Sequence, residues 1–426
     1  MTMIRPKTEM KDSGINYVGL IPKKWKIVQL KYCTDCLDGK RVPIDASLRK
    51  SGIYPYWGAG KIMDYVNDYI FDERLVLLGE DGAPFFDDFR PVSHLIDGKV
   101  WVNNHIHVLR TRDNIIDSYL VYALNSVDYH EYINGSILNK LTQSNMNRIK
   151  IPLPSYPEQQ AIADYLDETC YKIDEIIAEA RKSIDEYKEL KQSVIFEAVT
   201  KGLDKDIEMK NSEVEGMGFI PKKWSVIRFM KVNYVRARLG WKGLKAEEYV
   251  DVGYPFLAAY HIVNNHLCWE SLNCITKERY DESPEIKLSI GDLVLVKDGA
   301  GIGKCARIDE MPLGEATVNS SLSVITPNKL LDYRYEYYYF MSPLFQNIIA
   351  RLKNGMGVPH LTQESMKDIY LPLPSKKEQQ AIADYLDNKV VELDSLITEK
   401  ESLINDLEAY KKSLIYEVVT GKRRVV

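Results

Sequence analysis

The chain's closest approach to an enzyme motif is a glycine-rich run, Asp298–Gly299–Ala300–Gly301–Ile302–Gly303–Lys304–Cys305. A phosphate-binding loop of this type needs glycine at the first position and a hydroxyl after the lysine, where it holds the metal ion. Asp298 and Cys305 occupy those positions, and the GxGxxG spacing is missed as well. The run therefore reads as a turn after a strand, with Lys297 and Lys304 available to touch phosphates. Cys33 and Cys36 form a lone CxxC, and Cys170, Cys268, Cys274 and Cys305 supply no second pair at zinc-ligand spacing, so free thiols and no metal are expected. There is no HExxH and no Asn-Pro-Pro-aromatic motif, and the seven histidines do not cluster. Side chains of types that could suit nucleic acid are also present, lysine and arginine for phosphates and asparagine for base edges. The candidates are Lys61, Arg90, Asn103, Asn104 and Lys140 in the first half, and Arg236, Arg238, Lys242, Lys297, Lys304 and Asn319 in the second. Solvated surface positions are the competing account of each, and turn formation is a competing account of the asparagines.

The elements that must position these residues occur twice. Residues 151–167, IPLPSYPEQQAIADYLD, return at 371–387 as LPLPSKKEQQAIADYLD, with 14 of 17 positions identical. The pentapeptide IPKKW opens each half, at 21–25 and 220–224. Between these blocks, Leu75–Val76–Leu77 with Asp81–Gly82 matches Leu293–Val294–Leu295 with Asp298–Gly299, and Leu141–Thr142–Gln143 matches Leu361–Thr362–Gln363. The chain is a tandem duplication in which a variable module is followed by a constant helical block. The second copy is longer by 21 residues, and 18 of them fall between Trp224 and Asp298. Strand-like runs such as Leu75–Leu78, His105–Leu109, Asp292–Val296 and Leu322–Ile325, punctuated by Gly and Asn turns, make the modules mixed α/β or largely β.

Charge is divided along the same lines. The net charge is −5, yet residues 151–200 alone carry −6 and 371–420 carry −4. The modules are neutral to slightly basic, so the overall acidity does not exclude DNA. No apolar run reaches membrane-spanning length and the N-terminus has no secretory core, which points to a cytoplasmic protein.

The constant blocks read as long amphipathic helices. Apolar positions in the first are Ile173, Ile177, Ala180, Ile184, Tyr187, Leu190 and Val194. In the second they are Leu393, Ile397, Ile404, Leu407, Tyr410 and Leu414, with Lys400 where Ala180 stands. Two helices with one pattern predict an antiparallel coiled coil within the chain, which would act as a ruler between the modules.

PLPS followed by EQQAIADYLD, the long charged helix ending in Glu197–Ala198–Val199–Thr200–Lys201–Gly202–Leu203, and then GFIPKKW with a second variable module together resemble the specificity subunit of type I restriction-modification systems. The resemblance covers essentially the whole chain. It implies an α+β fold with two α/β target-recognition domains, 1–150 and 204–370, joined by helical regions 151–203 and 371–426 in a pseudo-two-fold arrangement. It also implies a non-catalytic reader of a bipartite, asymmetric site in double-stranded DNA. Methyltransferase subunits carrying S-adenosylmethionine would dock on the helices, and ATP-driven restriction subunits could join them; this chain itself would bind no cofactor. Two other classes stay open on the residues alone: a bipartite protein scaffold, and an enzyme binding nucleotide at Gly299–Lys304.

Overall fold

In a computed structural model the protein is described at residues 3–87, 89–133, 139–238, 244–299, 301–354, 360–362 and 364–425. The chain forms two compact units, Met1–Lys182 with Lys400–Val426, and Ser183–Glu399. Each unit contains one variable module and a part of both long helices, Tyr156–Lys201 and Lys376–Val419.

The repeated sequence explains how each helix starts. Ser155 donates from its N–H and hydroxyl to the Glu158 carboxylate (3.2 and 2.8 Å), and Ser375 does the same with Glu378 (3.1 and 2.7 Å). A serine three residues before a glutamate thus closes the helix N-terminus in both copies. The next residue ties the helix to its module. Gln159, 1% exposed, accepts from Ile116 N–H and donates to the carbonyls of Asn114 and Pro154. Gln379 is fully buried and makes the same three bonds to Asp332 N–H and the carbonyls of Leu330 and Pro374. Ile162, Ala163 and Leu166, and their counterparts Ile382, Ala383 and Leu386, are buried one turn further on.

Both helices end at a glycine in the left-handed region, Gly202 (φ +77°) and Gly421 (φ +71°). A side chain there would be strained, and in each case the space above is taken by a tryptophan of the IPKKW block, Trp224 over Gly202 and Trp25 over Gly421. The first unit is completed by the C-terminal strand Arg423–Arg424, which pairs with Met3–Ile4.

Within the first unit the helices run antiparallel, since Asp174 pairs with Lys411 (2.6 Å) while Arg181 pairs with Glu408 (2.9 Å). Within the second, Lys191 pairs with Asp394 (2.5 Å). Ile173, Ile177, Ala180, Ile184, Leu393, Ile397, Ile404 and Leu414 are buried, and Tyr187, Val194 and Leu407 are half-buried. Leu190 and Tyr410 depart from the expected seam, being 45% and 47% exposed. Each lies six residues beyond a buried isoleucine, Ile184 or Ile404, and six steps of about 100° carry a side chain roughly 120° off the face. The seventh residue returns to within about 20°, and it is Lys191 in one helix and Lys411 in the other. Their stems cover the seam while the ammonium groups reach Asp394 and Asp174.

Both modules are β-rich and share one plan, so the whole is α+β. In the first, one sheet runs Ser93–Ile96, Leu75–Gly79, Ile106–Thr111, Thr34–Cys36, all antiparallel. The second module repeats it as Cys305–Arg307, Leu293–Val296, Leu322–Pro327, Asn233–Arg236. A second sheet in each contains one parallel pair, Ser51–Trp57 with Lys99–Val102 and Tyr254–Leu257 with Thr317–Val318. The apolar core lies between the sheets: Leu75, Leu77, Val102, Ile106 and Val108 in one module, Val294, Val296, Val318, Leu322 and Val324 in the other.

Candidate nucleic-acid interface

Four loops meet at one edge of each module, and the backbone bonds that gather them are the same in both. Asn103 N–H donates to Trp57 O (3.1 Å), Glu80 N–H to His105 O (3.0 Å) and Leu141 N–H to Glu80 O (2.7 Å). The second module repeats this as Asn319 N–H to Leu257 O (2.8 Å), Lys297 N–H to Ser321 O (2.9 Å) and Leu361 N–H to Lys297 O (2.9 Å). Short bridges between Asp81 and Lys140, and between Asp298 and His360, close the edge at equivalent places.

The side chains on this shared frame differ. In the first module, exposed His105 and Lys140 flank Asp81, which bonds the His105 ring and sits 3.5 Å from the Lys140 ammonium, while Lys61 and Asn104 are exposed on two of the converging loops. In the second, His360 and Lys297 flank Asp298, which bonds the His360 ring and lies 3.2 Å from the Lys297 ammonium, while Tyr260 (65% exposed), Lys304 and Ser320 are exposed on the converging loops. Each edge thus offers cations for phosphates together with a fixed carboxylate and neutral polar groups able to meet base edges.

The sequence candidates divide accordingly. Lys61, Asn104, Lys140, Lys297 and Lys304 lie on the edge. Asn103 and Asn319 are beneath it as turn formers, their side-chain oxygens accepting from His105 N–H (2.8 Å) and Ser321 N–H (3.0 Å). Arg90 is exposed on a neighbouring loop and pairs with Asp87 (2.6 Å). Arg236 is a structural residue: it pairs with Asp292, itself 1% exposed, and donates to the carbonyls of Glu285 and Lys287. Arg238 is 8% exposed, and burial first, then the neighbouring Arg279 charge, lowers its pKa. Neither arginine presents its guanidinium to a ligand. Lys242 lies outside the described residues. His105, His360 and Tyr260 were not singled out in the sequence, although a signal existed: Lys140 and His360 both stand immediately before the repeated Leu-Thr-Gln.

Under the first edge, His107 (1% exposed) bonds Asp38 through Nδ1 (2.6 Å) and the Leu141 carbonyl through Nε2 (2.8 Å). Burial would raise the Asp38 pKa, but the His107 contact, Val108 N–H and Arg41 outweigh it and hold it below the usual carboxylate range. Cys36, Asp38 and His107 are close enough to share an ion. Both His107 nitrogens are already engaged, by Asp38 and by the Leu141 carbonyl, so the cluster braces the loops from below. Burial pushes the Cys33 and Cys36 thiols up to about 11, the opposite of a reactive pair.

The glycine-rich run is a hairpin turn between Leu293–Val296 and Cys305–Arg307, closed by Val296 N–H to Lys304 O (2.8 Å) and Gly303 N–H to Val296 O (3.0 Å). No helix follows it, so the helix N-terminus that a nucleotide phosphate would use is missing at this turn.

The family of the type I restriction modification DNA specificity domain matches residues 22–186 and 232–408. The specificity subunit of the type I restriction enzyme MjaVIII from Methanocaldococcus jannaschii is 25% identical over 417 residues, 95% of this chain and 94% of that protein. A putative type I specificity subunit of Haemophilus influenzae, S.HindORF215P, is 32% identical over 144 residues, 34% of this chain and 36% of that protein. A solved chain from work on complex assembly and conformational transition of the type I R-M system superposes with a TM-score of 0.68 at 15% identity, covering 94% of this chain and 99% of that one, which establishes the shared fold. With a matching family domain in each half and the same loop edge built twice, the chain belongs to the DNA specificity subunits of type I restriction-modification systems, a non-catalytic family with two target-recognition domains.

Proposed function

We propose that each module, 1–150 and 204–370, reads one half of a bipartite asymmetric site in double-stranded DNA through its four-loop edge, while the helical regions 151–203 and 371–426 set the gap. Methyltransferase subunits that bind S-adenosylmethionine dock on this chain and carry out the chemistry, and restriction subunits that use ATP join the same complex. The observation that carries this reading is the identical backbone scaffold of the two edges with different side chains on it. A frame kept constant beneath variable exposed groups is what two unlike readers of one polymer require.

The test is single-molecule sequencing of modified bases in cells carrying this protein and its methyltransferase partner. Two half-sites at a fixed gap are expected, and exchanging Lys140 for His should alter the first half-site and leave the second intact. Changes in both halves would contradict separate reading. A protein scaffold, the rival class, would bind its target without the steep loss of affinity with salt that phosphate contacts impose.

A further inference from the structure

The two edges differ in most of their side chains, which makes the aspartate they share informative. At equivalent positions Glu80 stands against Lys297, Asn104 against Ser320, His105 against Ser321 and Lys140 against His360. Asp81 and Asp298 keep their identity among these changing neighbours.

Neither carboxylate is needed for its turn. Asp87 and Asp128 accept from backbone N–H groups two residues on, the ordinary task of an aspartate in a loop. Among the described residues, Asp81 and Asp298 meet side chains only. The turns are formed instead by Gly82 and Gly299, at φ of +68° and +81°, and no described atom lies within 4 Å of where a Cβ would stand on either.

The partners of the two carboxylates come from different positions. Asp81 bonds the His105 ring and lies 3.5 Å from the Lys140 ammonium, which it shares with Glu80 (3.2 Å). Asp298 bonds the His360 ring and lies 3.2 Å from the Lys297 ammonium. Each has one imidazole and one ammonium, yet the counterpart of His105 is Ser321, that of Lys140 is His360 and that of Lys297 is Glu80. A trio kept while its members change places is not a remnant of the duplication. What persists is a carboxylate, 25% exposed in one module and 36% in the other, steadied by a ring and offset in charge by a lysine.

DNA offers such a group one kind of partner. Phosphates repel it, and an ionised aspartate only accepts hydrogen bonds, with about four lone-pair sites of which its histidine and lysine use two. The donors on base edges are exocyclic amino groups: adenine N6 and cytosine N4 in the major groove, guanine N2 in the minor. A minor groove about 6 Å wide excludes an edge made of four loops, whereas the major groove, about 12 Å wide, admits it. Beside adenine N6 lies the N7 lone pair, which repels a second carboxylate oxygen, while cytosine presents only its N4 donor.

We infer that Asp81 and Asp298 each accept a hydrogen bond from cytosine N4, so that each half-site contains a C·G pair at the position met by its Asp-Gly turn. The inference rests on the proposed DNA reading and adds to it one residue in each module and the base that it selects.

The experiment sequences modified bases in cells that carry the methyltransferase subunit with the wild-type chain, Asp81→Asn or Asp298→Asn. Asparagine keeps the size and can still bond the histidine, but its amide suits adenine N6 and N7 together. With the wild-type chain a C·G pair is expected in both half-sites. Asp81→Asn should lower the preference for cytosine over adenine by about tenfold at one position of the first half-site and leave the second unchanged, and Asp298→Asn should do the converse. A wild-type half-site without a C·G pair, or variants whose base preferences match wild type, would overturn the cytosine contact and leave separate DNA reading standing. A changed preference at an adenine position would make adenine N6 the donor and refute cytosine. Both half-sites altered by one substitution, or wild-type modification at no defined sequence, would refute the reading on which the contact rests.

Discussion

Replacing Gln159 by Met tests how the constant frame holds a variable module. The change keeps length and apolar stem but removes bonds to Ile116 N–H and the carbonyls of Asn114 and Pro154 in a site 1% exposed. Each buried group left without a partner costs about 1–3 kcal/mol. The Pro154 carbonyl is next to the helix start and can relax, so a loss of about 4 kcal/mol is expected for the first unit. For a unit of this size, Met1–Lys182 with Lys400–Val426, a loss of 1 kcal/mol lowers the melting point by roughly 2–4 °C, so a fall of roughly 8–16 °C should follow. Calorimetry reads the total, and hydrogen exchange at Ile116 reports whether the opening is local. Methylation at sites mutated in one half or the other should show weaker discrimination in the first half-site only. A melting point within 2 °C of wild type, or equal loss of discrimination in both halves, would refute the view that this glutamine fastens its own module to the frame.

The remaining predictions concern charge. Glu336 is fully buried against Asn233, and burial raises its pKa from 4.5 to about 8. A raised carboxyl contributes stability that is complete below the ordinary value and is lost as pH rises through the folded one. The second unit should therefore weaken between about pH 4.5 and 8, by up to roughly 5 kcal/mol, and Glu336→Gln should flatten that dependence in urea titrations. Arg236→Ala leaves Asp292 buried without its charge partner and should cost about 3–5 kcal/mol of stability, whereas Lys304→Ala should change the melting point by no more than about 2 °C, within the roughly ±0.5 kcal/mol usual for exposed positions. In the assembled complex Lys304→Ala should instead reduce the slope of log affinity against log salt by about 1, as a lost phosphate contact would, and Lys61→Ala should do the same on the first edge.

The duplication, the long helices and the split of charge were legible because each repeats at fixed offsets. Periodicity is read most safely where an error accumulates, and the seam shows how it fails: Leu190 and Tyr410 satisfy a local step of three, but two such steps in succession leave the buried face. A lysine in the seam is also invisible to a search for apolar positions, since only its stem is apolar. Arg236 and Arg238 were chosen for charge, and nothing in composition separates an arginine that binds DNA from one that holds a carbonyl or is buried. The candidate edge was half legible. Asp81 and Asp298 matched across the copies, but the histidines against them come from loops 24 and 62 residues away, and only the fold brings them together.

Which positions are constant and which vary then follows from what each must do. Ser155, Glu158 and Gln159 satisfy backbone groups at a helix entry, and any chain entering a helix beside a packed module presents those same groups whatever the module reads. Their counterparts are identical because the backbone they serve is identical. The edge residues serve no such obligation: Lys140 and His360 enter equivalent bridges in the two modules, and either can stand there without disturbing the backbone bonds beneath. On the proposed reading, a module can therefore change its specificity while keeping its fold, provided substitutions stay above the turn formed by Asn103 or Asn319.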